Sequence, residues 1–185
     1  MNIVHRFGQF IIPKTNIFCL SPNKIGSIAF VNLRPIVPGH VLVTTQRIVP
    51  LVEDLTEEEY LDMWLLVRRV QTILKVAYPK TTAFNIAVQD GKDAGQSIAH
   101  VHVHILPRSS MQDGDPFGGE KNDEIYEKLE KWAPTTLLVD EKQQKQNSQN
   151  NLNVPNENER IDRTEEMMTN EATRYRQILS DLKKK

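Results

Sequence analysis

The chain has 185 residues, which at ~100–200 residues per domain allows one domain and little else. Lys and Arg total 23 and Asp and Glu 24, a formal charge of −1 that removes any global electrostatic case for nucleic-acid binding. One cysteine, Cys19, cannot close an intramolecular disulfide, and no apolar run reaches the ~18 residues of a membrane helix, so a stapled secreted scaffold and a helical membrane protein are both excluded.

The first residues carry no signal-peptide pattern, so a cytoplasmic protein, also nuclear, with no membrane and no nucleic-acid partner is expected. His5 is expected at the surface. Asn16–Leu20 and Ser27–Asn32 are apolar runs around the turn-rich Ser21–Gly26 and predict a hairpin, with Cys19 as a small buried hydrophobe. Pro35–Gly39 breaks the second run and leads into a third strand, His40–Thr44. Thr56 with Glu59 three residues on forms a capping box. It opens a helix through about Ala77, closed by Pro79, with Leu61, Trp64, Leu65, Arg68 and Thr72 at helical spacing. Ala83–Gln89 reads as a strand, Asp90–Gln96 as a loop, and His100–Leu106 as a strand stopped by Pro107. Further helices are expected over Asn122–Trp132 and about Arg160–Leu182, with Trp64 and Trp132 packing rather than binding.

Composition shifts near Val139. From Glu141 to Arg160, ten of twenty residues are Asn or Gln, too little apolar surface to offset the entropy of ordering. Residues 1–139 are therefore read as the main folded domain, 140–159 as a disordered insertion, and 160–185 as a C-terminal helix packing on that domain. Strands, a helix, strands and a helix follow one another without regular βα alternation. That order predicts an α+β fold: a largely antiparallel sheet with a long helix and a C-terminal helix.

Three of the five histidines fall within His100-Val101-His102-Val103-His104. On a strand, alternation places the three imidazoles on one face and Val101, Val103 and Ile105 on the other, with Cβ atoms roughly 6.5–7 Å apart along the row. Three readings compete. An exposed polar face would be an odd use of three histidines. A metal site needs further ligands, yet no Asp, Glu or Cys follows His104 before Asp113, and a barrel with a strand-end His-x-His needs ~250 residues. Nucleophilic catalysis suits a neutral imidazole, whose reference pKa near 6.5 leaves a lone pair able to attack phosphorus or carbonyl carbon at pH 7. The upstream residues Gln89, Gly91, Gly95, Gln96 and Ser97 favour the third reading. Glycines let backbone N–H groups approach an anion, Gln and Ser add neutral donors, and Arg108 closes the strand with a cation. No Walker sequence is present.

His100-Val101-His102-Val103-His104-Ile105-Leu106 matches the histidine triad motif in full, His-φ-His-φ-His-φ-φ with φ hydrophobic. Around it, Arg6-Phe7-Gly8-Gln9, Ala29-Phe30-Val31-Asn32, Pro35-Ile36-Val37-Pro38-Gly39-His40-Val41-Leu42-Val43, Gln89-Asp90-Gly91, Ala94-Gly95-Gln96 and Glu165-Glu166-Met167 resemble the fragile-histidine-triad branch of the superfamily, the dinucleoside polyphosphate hydrolases. The resemblance implies a two-layer α+β homodimer that cleaves diadenosine triphosphate to AMP and ADP through a nucleotidyl-histidine. It implies His102 as nucleophile, His104 on the phosphate oxygens, and His40 and His100 orienting the other imidazoles. Asn32 would sit at the ribose, with Gln89 and Gly95-Gln96-Ser97-Ile98 around the phosphates. Mg²⁺ or Mn²⁺ would enter with the substrate phosphates, with no tightly bound cofactor and no protein metal site. The sequence departs from the branch at Phe10, where the resemblance implies a histidine after Phe-Gly-Gln, and in its polar insertion. The competing readings are a nucleoside phosphoramidase of the nucleotide-binding triad branch and a nucleotide-bound signalling module with little turnover.

Overall fold

A five-stranded antiparallel sheet dominates the computed structural model, which describes residues 4–23, 26–130 and 162–184. A short hairpin, β1 (Arg6–Phe7) and β2 (Phe10–Ile11), comes first. The main sheet follows as β3 (Ile17–Leu20), β4 (Ile28–Val31), β5 (Val41–Thr44), β6 (Ala83–Ala87) and β7 (His102–Arg108), in the order β3-β4-β5-β7-β6. The helices are α1 (Glu57–Ala77), α2 (Glu124–Glu130) and α3 (Glu165–Leu182). The α+β class and the predicted β3–β4 hairpin are both present, and β3 and β4 pair antiparallel with Ile17 opposite Phe30.

Alternation along the strands builds two different faces. Ala29, Val31, Val41, Val43, Val103 and Ile105 face one core with Met63, Leu66, Val70 and Ile73 of α1 and Met168, Ala172 and Tyr175 of α3. Ile17, Ile28, Phe30 and Leu42 face the other way, against Phe7, Ile12 and Ile98. Each fully buried Leu, Ile, Val or Met side chain contributes about 1.5–3 kcal/mol. The helix-covered face therefore carries most of the stability, and the opposite face is left for chemistry.

Thr56 caps α1 as expected: its hydroxyl accepts from Glu59 N–H, and the Glu59 carboxylate accepts from Thr56 N–H. The stripe expected at Leu61, Trp64, Leu65, Arg68 and Thr72 is the outer one, however. Leu61 and Leu65 are 52% and 59% exposed, while Met63, Leu66, Val67, Val70 and Leu74 are buried. Both stripes satisfy the helical period; the sheet selected the one with branched and longer aliphatics down its whole length.

Two boundaries also differ. The strand with the histidines starts at His102 rather than His100, because the N–H groups of His100 and Val101 bond Ile98 and Val49 outside the ladder. It also runs through Pro107 to Arg108. Pairing with β5 ends at Ile105, while β6 pairs as far as Arg108. Arg108 turns its carbonyl to Thr82 on the β6 side, so the ring nitrogen of Pro107 faces the side β5 has vacated, where a missing donor costs nothing. The expected strand Ala83–Gln89 ends at Ala87. Thr164 caps α3, which packs on α1, β3 and β4. Cys19 is buried in the core, where burial pushes its thiol upward. The 140–159 insertion and Trp132 lie outside the described residues. Among those described, no helix is long and apolar enough to cross a membrane.

Candidate active site

β5 and β7 are neighbours, with Leu42 opposite His104 and Thr44 opposite His102. Because Val103 and Ile105 point into the α1 core, His102 and His104 point to the opposite face. Their ring centroids lie 4.9 Å apart, and His40, immediately before β5, places its ring 5.2 Å from that of His104. Phe7 of the β1–β2 hairpin meets His102 edge-on at 4.8 Å and lies 5.9 Å from His100. All four imidazoles are buried, none more than 1% exposed. His100 sits just ahead of the strand, its ring within 5.9 Å of the same Phe7 that covers His102.

The hydrogen bonds assign the tautomers by elimination. Gly8 N–H donates to His100 Nδ1 at 3.1 Å, so His100 carries its proton on Nε2, 3.1 Å from Thr45 Oγ1. The carbonyl of His100 lies 2.7 Å from His102 Nδ1 and can only accept. His102 therefore holds its proton on Nδ1 and its lone pair on Nε2. Ile36 N–H donates to His40 Nδ1 at 3.1 Å, so His40 Nε2–H donates to His104 Nδ1 at 3.0 Å. His104 in turn carries its proton on Nε2. The row thus presents one nucleophilic nitrogen beside one donor.

Burial sets the charge. Desolvation pulls His100 and His102 down to about 4, and pulls His40, with help from the Arg163 and His102 charges, to about 3. His104 is held well below its ordinary range, by desolvation first and then by His40 and His102. At neutral pH the four rings are uncharged, which is the state the tautomer chain requires.

The other expected site residues divide into groups. Asn32 is buried, with its oxygen accepting from Arg34 N–H and its amide nitrogen 3.3 Å from both ring nitrogens of His40. Asn32 and Ile98 line an apolar cavity of about 250 Å³ walled by Phe7, Phe10, Phe30 and Leu42. Gln89 and Gly95 meet: Gly95 has φ +86°, and a Cβ there would come within 2.6 Å of Gln89 Nε2, which donates to Leu129 O. Gln96 donates to Pro50 O at 2.7 Å. Ser97 Oγ is buried and has no partner among the described residues. Arg108, expected as a cation at the phosphate cradle, is committed elsewhere. Its guanidinium pairs with Asp115 and donates to Asn85, Asn122 and Phe117 O at the far end of β7. His5 is half-buried, with Nδ1 2.9 Å from Gln46 Oε1.

Three contributors had no role assigned from sequence, though Phe7 and Gly8 stand in a segment that carries the family resemblance. Gly8, at φ +56°, turns its N–H to His100, and a Cβ there would lie 2.6 Å from Ile98. Phe7 covers His102, and Thr45 fixes His100. Gly8 alone had a local signal, in the Phe7-Gly8-Gln9 turn; the other two act through contacts 55 or more residues away.

The HIT domain family matches residues 23–111. The bis(5'-adenosyl)-triphosphatase of Dictyostelium discoideum is 43% identical over 125 residues, 68% of this chain and 77% of that protein. The bifunctional bis(5'-adenosyl)-triphosphatase/adenylylsulfatase FHIT of Arabidopsis thaliana is 38% identical over 174 residues, 94% of this chain and 83% of its own. Among solved structures, the C. elegans NitFhit protein aligns over 96% of this chain with a TM-score of 0.64 and 31% identity. This chain spans 31% of that longer protein.

Proposed function

Because the chain belongs to the HIT domain family, we propose that it hydrolyses diadenosine 5',5'''-P1,P3-triphosphate and related dinucleoside polyphosphates to AMP and ADP. The observation that carries this reading is the 2.7 Å contact between His100 O and His102 Nδ1. It leaves the lone pair of His102 on Nε2, in a site where burial keeps the ring neutral.

In the first step His102 Nε2 attacks the α-phosphorus. The N–P bond forms as the bond from phosphorus to the ADP oxygen breaks, and ADP departs with that electron pair. The new imidazolium keeps its Nδ1 proton against the His100 carbonyl, whose dipole steadies the charge. In the second step water attacks the phosphorus, the N–P bond returns its pair to His102, and AMP leaves as the water's proton passes to solvent. A phosphate leaving group with a second pKa near 6 needs little general-acid help. His104 Nε2–H then serves as a hydrogen-bond donor to phosphate oxygens, and Ser97 Oγ and the glycine loop are the further neutral donors the reading calls on.

The apolar cavity takes the base, Asn32 at its wall reaches the ribose, and Gln89, Gly95 and Gln96 lie around the phosphates. Phe10 replaces a polar contact with an aromatic wall. Mg²⁺ or Mn²⁺ would enter on the substrate phosphates, whose hard oxygens suit these ions. A homodimer fits the unpartnered surface: β6 is an edge strand with Ile86 exposed, and α1 exposes Tyr60, Leu61 and Leu65. Sedimentation of the wild type and of Leu65→Glu tests it; a wild-type monomer refutes it.

The activity is tested by comparing kcat/KM for diadenosine triphosphate, diadenosine tetraphosphate and an adenosine phosphoramidate. Preference for the triphosphate, with AMP and ADP as products, is expected. Preference for the phosphoramidate, or tight binding without turnover, overturns the assignment.

A further inference from the structure

The cavity beside the histidine row has a polar corner away from Asn32. Successive cross-strand partners on its floor are His104 opposite Leu42, Leu42 opposite Phe30, and Phe30 opposite Ile17. These span three strand spacings, about 14 Å, from the nucleophile's strand to β3. Asn16, immediately before Ile17, stands at the far end and lines the cavity with Glu165 and Met168 of α3. It is only 5% exposed. Its Nδ2 donates to Glu165 Oε2 at 3.3 Å and points to Met168 Sδ at 3.9 Å. Its Oδ1 is buried and has no hydrogen-bond partner among the described residues.

The orientation of this amide is chemically fixed. A carboxylate and a thioether only accept, so the atom facing them must be the nitrogen, and the oxygen must be the one left over. Thr15 Oγ1 donates to the other Glu165 oxygen at 2.9 Å and holds the carboxylate in place. A buried carbonyl oxygen that makes no hydrogen bond has lost water without return, and a donor brought into the cavity restores the balance.

We propose that Asn16 determines base preference, its Oδ1 accepting the exocyclic amine of adenine while Glu165 holds the amide in register. The inference rests on reading the cavity as the nucleoside pocket. Adenine presents an N6 amine donor at the position where guanine presents the O6 acceptor. Guanine would set two acceptors against each other. Asn16 cannot flip to help, because flipping turns its oxygen onto the Glu165 carboxylate. A site built around a hydrogen bond rejects ligands that lack the partner far more strongly than an apolar pocket rejects a small change of size.

The probes are AMP, GMP and purine riboside 5'-monophosphate, which lacks the exocyclic group, titrated calorimetrically into the full chain and into Asn16→Val. Diadenosine and diguanosine triphosphate are compared by kcat/KM in parallel. Wild type should prefer AMP over both other nucleotides by about 10- to 100-fold. Asn16→Val should bring AMP to the level of purine riboside monophosphate, leaving a ratio within about threefold. Equal wild-type affinity for AMP and purine riboside monophosphate overturns the proposal without needing any variant to fold. So does an unchanged ratio in Asn16→Val. If both dinucleotides are hydrolysed equally well, Asn16 is not the reader and the hydrolase reading survives. If neither is hydrolysed and no nucleotide binds, the nucleoside pocket itself is wrong.

Discussion

His40 Nε2 lies 3.0 Å from His104 Nδ1, and this contact decides which nitrogen of His104 carries its proton. His40 is itself oriented by Ile36 N–H on its other nitrogen, so the backbone before β5 sets a tautomer on β7. Replacing His40 by Ala frees His104 to place its proton on Nδ1, where it no longer faces the phosphate. The expected result is a fall in kcat of about 10²-fold or more, with KM changed little. Steady-state kinetics on diadenosine triphosphate check it; an equal rise in KM with kcat intact would mean that His40 serves binding alone.

His102→Ala removes the attacking atom and leaves the cavity and glycine loop in place. Turnover should fall by more than about 10³-fold while AMP affinity holds within a few-fold. Rapid quenching of wild type with substrate in alkaline denaturant, where a phosphoramidate bond survives, should also yield nucleotidylated His102 by peptide mass spectrometry. Several per cent of residual kcat in the variant would identify another first nucleophile.

The buried histidines also make a pH prediction. Folded His100 and His102 sit near 4 and His40 near 3, below the ordinary 6.5 of an unfolded chain. Between pH 6.5 and 4 the unfolded chain takes up protons that the folded chain refuses, so stability is complete above 6.5 and falls as the solution is acidified. Each fully responding group adds a slope of about 1.4 kcal/mol per pH unit. Urea midpoints at pH 7.5, 6.5, 5.5 and 4.5 should dip modestly across the first pair, because the unfolded histidines are half protonated at 6.5, and fall more steeply thereafter. Activity should persist lower than for an ordinary histidine, losing kcat/KM only as His102 protonates toward about 4.

Much of this site was legible before the fold. Period-two alternation put Val103 and Ile105 into the core and His102 and His104 out of it, and the Thr56–Glu59 box marked the start of α1. What could not be read depends on contacts between distant segments. Leu61 and Leu65 are as apolar as the buried stripe beside them, so only the sheet could choose the phase of α1. Arg108 looked like a phosphate cation until Asp115, in a loop with no period of its own, claimed it. Asn16 sits 149 residues from Glu165, and nothing in a single sequence brings those two together.

Gly8 tests how tightly the hairpin is tied to the histidines. At φ +56° an alanine is strained, and its Cβ would meet Ile98 Cγ2 at 2.6 Å. Moving the turn to relieve that contact also moves the N–H that holds His100 Nδ1. Gly8→Ala should cost about 1–3 kcal/mol and lower kcat more than a stability change of that size explains, since His100 O orients the nucleophile. Denaturation midpoints and kinetics at a temperature where the variant remains folded separate the two effects.

Arg163 joins α3 to the end of β4. Its backbone N–H donates to Leu33 O, its guanidinium donates to Asn32 O, and it pairs with Glu171, which also accepts from Tyr175 and Tyr78 hydroxyls. Both charged side chains are 13% exposed, so their attraction is only weakly screened and neither is well solvated alone. Arg163→Ala would leave the carboxylate of Glu171 with hydroxyl donors only, and should cost about 3–5 kcal/mol. Glu171→Gln would keep the tyrosine contacts while neutralising the partner, and should cost less. Combining Arg163→Ala with Glu171→Gln should recover part of the first loss, because no uncompensated charge then remains buried. Additive losses in the double variant would show that the Arg163 side chain works through the Asn32 carbonyl and that its pairing with Glu171 is incidental.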